Sequence, residues 1–179
     1  MNRPAETFAL RHAKPGDLAA VDALLARSYP RLLARDYPPS VLVTAVPIIA
    51  RARPELLASG RYWIAEDAQG HVVGAGGWSS LSPTPSDGSG GFPRRERGVA
   101  HVRHVATDPD MVRHGVGRAV MRHVMAEAAM EGFAMMECLS TWTAVPFYTA
   151  VGFSDVGRIS VNLAPGIDFP AVQMVCALQ

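Results

Sequence analysis

The sequence predicts a mixed α/β fold, an α+β arrangement on one mixed sheet, with elements in the order β-α-α-β-β-β-α-β-α-β-β. Three observations predict it. Strand-like runs at 99–107 and 135–139 flank one long amphipathic helix. Such a strand–helix–strand unit joins parallel neighbours, and it makes 99–107 a central strand running straight into a loop and helix. The runs at 61–67 and 71–79 read as a hairpin around Ala68-Gln69-Gly70, and the closing runs at 154–163 and 171–178 are joined by a Pro165-Gly166 loop. With 179 residues, no internal repeat and no dividing linker, 1–179 reads as a single domain with a sizeable core.

Each element has its own signal. Residues 8–12 form a short strand, and Pro15-Gly16-Asp17 opens a helix with Asp17 as N-cap. Leu18, Val21, Leu25 and Ser28 follow one face, with Leu24 beside them, and Pro30 is expected to end it. Residues 31–39 are irregular. Ser40 caps a second helix reaching about Arg51, with Pro47 expected to kink or interrupt it. Residues 54–59 add one further turn, closed by Gly60. RYWIAED at 61–67 and HVVGAGGWS at 71–79 form a hairpin around Ala68-Gln69-Gly70. Gly74, Gly76 and Gly77 weaken its second strand and point to a bulge or a close backbone neighbour.

Residues 80–98 are a loop rich in Pro, Ser and Gly, whose tip at 86–91 is expected to be mobile. Arg94, Arg95 and Arg97 near its end read first as a solvated basic patch. In the helix after residue 115, Val116, Val120, Val124 and Ala128 recur at i+4, beside Met121, Met125 and Ala129. Gly132 suits its C′ position, with Phe133 making the following apolar contact. A short helix at 143–151 carries Pro146 in its first turn and Gly152 at its end. Strands at 154–163 and 171–178, joined by a Pro165-Gly166 loop, close the fold.

The loop Arg113-His114-Gly115-Val116-Gly117-Arg118 before the long helix is the first functional candidate. Gly115 and Gly117 let a ligand approach the backbone. The helix end adds free N–H groups and about half a positive charge, and the two arginines add more. Together these make a seat for a phosphate or pyrophosphate. A bare G-x-G also fits a plain tight turn. The dinucleotide fingerprint G-x-G-x-x-G fails because position 120 is Val120, and no Gly-Lys-Ser/Thr of a P-loop occurs.

Composition narrows the field. A net charge of +1 gives no general attraction to nucleic acid or membrane surfaces. Cys138 and Cys176 lie in apolar runs and read as buried thiols, with no disulfide framework and no metal motif. No secretory pattern and no spanning apolar run occurs, so a cytoplasmic location is expected.

Two stretches, VATDPDMVRHGVGRAVM and AVPFYTAVGF, resemble the GNAT superfamily of acyl-coenzyme A N-acyltransferases, and the pair is far more specific than either alone. Their spacing and the element order match, and the resemblance covers about residues 8–178. It is weakest at 29–60, where family members diverge with their substrates. It implies that acetyl-coenzyme A is the acyl donor, with no metal. The backbone of Val105, Ala106 and Thr107 would bind the pantetheine arm like an added strand. The N–H groups of Arg113, His114, Gly115, Val116, Gly117 and Arg118 would hold the pyrophosphate. Tyr148 matches the tyrosine that protonates the departing thiolate. The chain departs from the family at Val112, where Gln or Arg is usual, and at Thr141, where an asparagine often contacts the cofactor. The implied acceptor is a primary amine of a small molecule or peptide, with no nucleic acid or membrane partner, and a homodimer is expected from the family's habit. The alternatives are a non-catalytic acyl-coenzyme A sensor on the same scaffold, and an unrelated α/β domain whose glycine loop merely turns.

The chemistry sets its own demands. An alkyl ammonium has a pKa of about 10, so a base must take its proton before attack. Histidine suits this near neutral pH, and His101 and His104 are the candidates, beside readings as structural histidines or a water chain. Strand alternation is expected to put His101, Arg103 and Val105 on one face and Val102, His104 and Ala106 on the other. Glu137 is a further acidic candidate that reads first as a paired or solvated carboxylate. A backbone N–H near Val105 would polarise the thioester carbonyl. Trp78 and Trp142 read as packing residues, and Tyr148 without the family would read as a core tyrosine.

Overall fold

The computed structural model describes residues 8–83 and 97–179. Seven strands form one sheet in the order β1-β2-β3-β4-β5-β7-β6. They are β1 (Phe8–His12), β2 (Tyr62–Asp67), β3 (Val72–Ser79), β4 (Val99–Thr107), β5 (Met135–Ser140), β6 (Ser154–Ala164) and β7 (Ile167–Ala177). Pairing is antiparallel except between β4 and β5, the pair bridged by the long helix. Among the described residues five α-helices accompany them: α1 (Leu18–Leu33), α2 (Pro39–Ile49), α3 (Pro54–Leu57), α4 (Val116–Met130) and α5 (Val145–Ala150). The expected element order is therefore realised, with α3 as the further turn.

Ser40 does not cap α2, which starts at Pro39 with Pro38 as N-cap, and three boundaries differ from expectation. Pro30 does not end α1, and Pro47 does not interrupt α2. A helical proline strips a hydrogen bond from the carbonyl four residues back. Those carbonyls belong to Ala26 and Val43, both exposed, where water can replace the lost donor. Strand β7 starts at Ile167, four residues before the expected start at 171, despite Pro170. There β7 pairs only with β6, since its pairing with β5 begins at Val172. A proline with a free flank costs no ladder bond.

The helices cover both faces. Helices α4 and α5 pack on one, where Val116, Val120, Met121 and Val124 join Ala100, Val102, Met136 and Met174 in one buried cluster. The glycines of β3 allow this close approach: a Cβ on Gly74 would stand 2.3 Å from Val116 Cγ1, and one on Gly76 would stand 2.8 Å from Val105 Cγ2. On the opposite face, α1 and α3 pack over β2 and β3, and α2 packs over β6 and β7. The two clusters there are bridged by Tyr29, which packs against both. The expected mobile tip at 86–91, with Arg94 and Arg95, lies outside the described residues. No helix among the described residues is long and apolar enough to cross a membrane.

Candidate active site

Strand β4 organises the site, because it changes partner halfway. Its pairing with β5 stops at His101↔Glu137, although β4 runs on to Thr107. Beyond that pair no ladder joins the two strands, although β5 runs on to Ser140. On its other side β4 stays paired with β3, but the register shifts between Ala75 and Gly77. The extra residue falls at His104, whose φ of 46° is rare for a side chain other than glycine. This is a β-bulge.

The bulge overturns the expected alternation. Val105 lies over Gly76 and Val120 on the α4 face, the same face as Ala100 and Val102. Ala106 joins the cluster under α1. His101 and Arg103 precede the bulge and stay together on the α1 face, without Val105. Hydroxyls fix the distorted backbone: Tyr62 donates to the His104 carbonyl at 2.7 Å, Tyr29 to Val105 at 3.3 Å and Ser28 to Thr107 at 2.9 Å. Val105 and Thr107 therefore turn their carbonyls away from β3 toward the open side, while Ala106 pairs with Ala75. The sequence offers Tyr29 as a residue that could line the acceptor site, whereas Tyr62 and the backbone role of all three hydroxyls were missed. Ser28 was visible as the one polar residue on the apolar stripe of α1.

The glycine loop stands at the start of α4. Gly115 has φ 86°, which favours glycine, and Arg113 has φ 69°. The first N–H to close the helix is that of Ala119, on the Gly115 carbonyl. The N–H groups of Val116, Gly117 and Arg118 precede it at the helix start. Arg113, His114 and Arg118 are exposed, and among the described residues neither arginine pairs with a carboxylate. Gly117 has a second reason to be glycine: a Cβ there would stand 3.1 Å from the Phe147 ring and 3.2 Å from Thr107 Oγ1. The loop thus packs against the end of β4 and against α5.

Helix α5 places Tyr148 in the α4-face core between Phe147 and Phe153, both edge-on to it. Burial, with Cys138 and the Tyr29 and Tyr62 hydroxyls nearby, pushes its pKa well above the ordinary range. Its hydroxyl is left without a hydrogen-bond partner among the described residues. Thr141 Oγ1 is already engaged, accepting from Ala144 N at 3.2 Å as a turn cap.

Across the α1 face of the sheet runs a polar row. His101 is 1% exposed. Its Nδ1 lies 3.3 Å from Glu137 Oε1, close but out of line for a hydrogen bond, and neither ring nitrogen finds a hydrogen-bond partner among the described residues. Gln173 Nε2 donates to Glu137 Oε2 at 2.6 Å. The His101 ring first, and then the Gln173 amide, hold the Glu137 carboxyl below its usual range against the opposite push of burial. Glu137 is thus a paired carboxylate, and Gln173 was missed because its strand signal gave no sign of its partner. His104 is pushed down to about 4 by burial and by the Arg103 and Arg53 charges.

Trp78 is fully buried, with its indole donating to Glu127 at 2.9 Å. Trp142 stacks on Tyr37 at 4.8 Å, and Phe169 stacks on the same Tyr37 ring at 4.8 Å. Both tryptophans therefore pack. Cys138 and Cys176 are buried free thiols, as expected. An open groove of about 550 Å³ lies elsewhere, between α1 and the β2–β3 turn. Its carboxylates Asp67, Asp108 and Asp110 pair with His71, Arg27 and Arg31. It offers no free charge for chemistry. Among the described residues no group of three or more metal-ligating side chains converges.

Comparisons with known proteins bear on this architecture. The family model for the acetyltransferase (GNAT) domain matches residues 58–155, more than half of the chain and the part that holds β2 to α5. No curated protein matches. Among solved structures, a GCN5-related N-acetyltransferase from Rhodopseudomonas palustris is 22% identical with a TM-score of 0.73, covering 99% of this chain and 100% of that one. The PaiA N-acetyltransferase from Thermoplasma acidophilum, in complex with coenzyme A, is 13% identical with a TM-score of 0.65 over 95% and 98%. A phosphinothricin acetyltransferase of the GNAT superfamily from Sinorhizobium meliloti, in complex with acetyl-coenzyme A, is 19% identical with a TM-score of 0.64 over 96% and 89%. An unrelated α/β domain with a similar turn would match neither the family nor the whole fold, so the chain belongs to the GNAT acetyltransferase family.

Proposed function

We propose that the protein transfers an acetyl group from acetyl-coenzyme A to a primary amine by direct attack on the thioester. The observation that carries this reading is the end of the β4–β5 ladder beside the glycine loop. It leaves a strand edge at Val105 and Thr107 leading to unpaired N–H groups and two unpaired arginines. In two structures with this fold, coenzyme A or acetyl-coenzyme A is bound. The loop N–H groups of 113 and 115–118 would hold the pyrophosphate, while the His114 N–H already donates to the Met111 carbonyl at 3.3 Å; the edge of 105–107 would hold the pantetheine arm, with Thr141 beside it.

His101 is the proposed base. With Nδ1 turned to Glu137, a neutral imidazole leaves the Nε2 lone pair free to take a proton. That atom is buried and unsatisfied, a state that calls for a ligand. His104 is the weaker base, since burial keeps it neutral and reluctant to charge. In the reaction the amine nitrogen bonds to the thioester carbon and passes its proton to His101. The C–S bond breaks, and Tyr148 protonates the thiolate. A tyrosine kept protonated by burial can give a proton to a sulfur whose thiol pKa is about 8.5 only where the thiolate forms beside it.

The test is thermal unfolding with and without acetyl-coenzyme A, with the exposed double variant Arg113→Glu/Arg118→Glu as control. At 100 times its Kd the ligand should stabilise the wild type by about 2.7 kcal/mol. The shift should shrink strongly in the control. No shift at millimolar ligand would remove the loop assignment, and absence of thiol release with every amine tried would leave the sensor reading.

A further inference from the structure

Arg103 is the side chain that the reaction leaves unexplained. It lies on β4 two residues past His101 and before the bulge, so both project from the α1 face of the sheet. The β4–β5 pairing has already ended at His101, so Arg103 has no partner residue on β5, and its side chain reaches toward Ser79 on β3 and the charges of Arg53 and Glu55. It is partly buried, yet among the described residues it pairs with no carboxylate. Among the described residues it bonds from Nη1 to Ser79 Oγ at 3.3 Å. The nearest acidic influence is Glu55, which lies 4.0 Å from Arg53, and the repulsion from Arg53 outweighs that attraction. Arg11, Arg27, Arg31 and Arg61 each pair with an aspartate or glutamate, and the unpaired Arg113 and Arg118 are exposed to water, as the partly buried Arg103 is not.

A half-buried guanidinium without a counter-charge is costly unless something supplies one. With Nη1 held by Ser79, the Nε–H and Nη2–H edge remains. That edge has the spacing of a carboxylate's two oxygens. The proposed base is its neighbour along the strand, about 7 Å away by strand geometry. We propose that the acceptor is a small primary amine bearing a carboxylate, which Arg103 holds while its amine faces His101. This rests on the acyl-transfer reading above, and it selects an amino-acid-like acceptor over a lysine side chain or a neutral amine.

The experiment measures thiol release from acetyl-coenzyme A with matched acceptor pairs: glycine, β-alanine and 4-aminobutyrate, each against its own carboxamide. The wild type should prefer the acid of at least one pair by about tenfold or more in kcat/KM, the range of a hydrogen bond to a charged partner. In Arg103→Gln that ratio should fall to about 1. In Arg103→Lys, which keeps the charge and loses the fork, it should fall only in part. Wild-type turnover of the amides as fast as the acids would overturn the inference and leave acyl transfer standing. So would an acid preference that survives in Arg103→Gln. Should that variant not fold, the wild-type ratio and Arg103→Lys decide. No thiol release with any of the six acceptors, while acetyl-coenzyme A still raises the melting temperature, would overturn this inference and leave the acyl-transfer reading to other amines.

Discussion

The face of the sheet under α4 holds one continuous apolar cluster, whereas the face under α1 and α2 holds two clusters bridged by Tyr29 and, over β4 and β5, a polar row. On the α4 face, contact is so close that β3 must be glycine at 74 and 76. On the other face, His101, Arg103, Glu137 and Gln173 make up that row, and His101 has both ring nitrogens buried and unsatisfied. The difference separates two tasks. The α4 face positions backbone: it sets the start of α4, and so the N–H groups of the loop. The α1 face positions side chains. The packed α4 face, which includes Tyr148, and the polar row of the α1 face should therefore respond to different substitutions.

The largest effect is expected on the polar face. His101→Gln keeps a polar group of similar size but no base. We expect kcat/KM to fall by about 10²–10⁴, the usual worth of general acid–base catalysis. The melting temperature and the acetyl-coenzyme A shift should barely change, because no hydrogen bond is lost. Steady-state kinetics with an identified amine, beside a melting curve, would check both halves. A variant that melts early and keeps its residual activity would make His101 a structural residue and erase the contrast.

The α4 face should give the reverse pattern. Gly74→Ala places a methyl 2.3 Å from Val116 Cγ1, and Val116 is a β-branched residue with little rotamer freedom in a helix. Overpacking of this kind costs about 1–3 kcal/mol. It should also weaken acetyl-coenzyme A binding, since Val116 opens α4 beside the loop. Val116→Ala in the same chain should recover part of both losses, and a double-mutant cycle in urea would measure the coupling. Equal losses with and without the second substitution would mean that the strand, not the helix contact, is what the methyl disturbs.

The two faces were unequally legible in the sequence. The α4 stripe, the loop, the glycine warning in β3 and the element order all rest on local periodicity and backbone chemistry, and each is found in the structure. The bulge was not legible. Nothing in HVRHVAT says where a residue is inserted, because the insertion is fixed from outside by Tyr62, Tyr29 and Ser28. With alternation broken at His104, any assignment of later residues to a face was bound to invert. The His101–Glu137–Gln173 row was hidden for a related reason: it joins three strands whose register only the fold sets. Pro170 misled because its tolerance depends on which flank of β7 is free.

The smallest effect sharpens the contrast through pH. His104 sits at the bulge, beside Arg103, with its pKa pushed down to about 4, below the ordinary 6.5. Burial is the first cause, and the Arg103 and Arg53 charges add to it, while Glu55 opposes weakly. Between those two values the unfolded chain binds a proton that the folded chain refuses. The unfolded state then holds more protons, so stability rises with pH across that window and is lost as pH falls through it. One group can contribute a slope of at most about 1.4 kcal/mol per pH unit. In His104→Gln this slope should flatten between pH 6.5 and 4, with little change above pH 7. Urea unfolding at a series of pH values would check it. An unchanged slope would mean that His104 is protonated in the folded chain, and the bulge would then carry a third positive charge beside Arg103 and Arg53. A histidine so charged would help hold an acceptor carboxylate, so its titration bears on how that face of the sheet recognises its ligand.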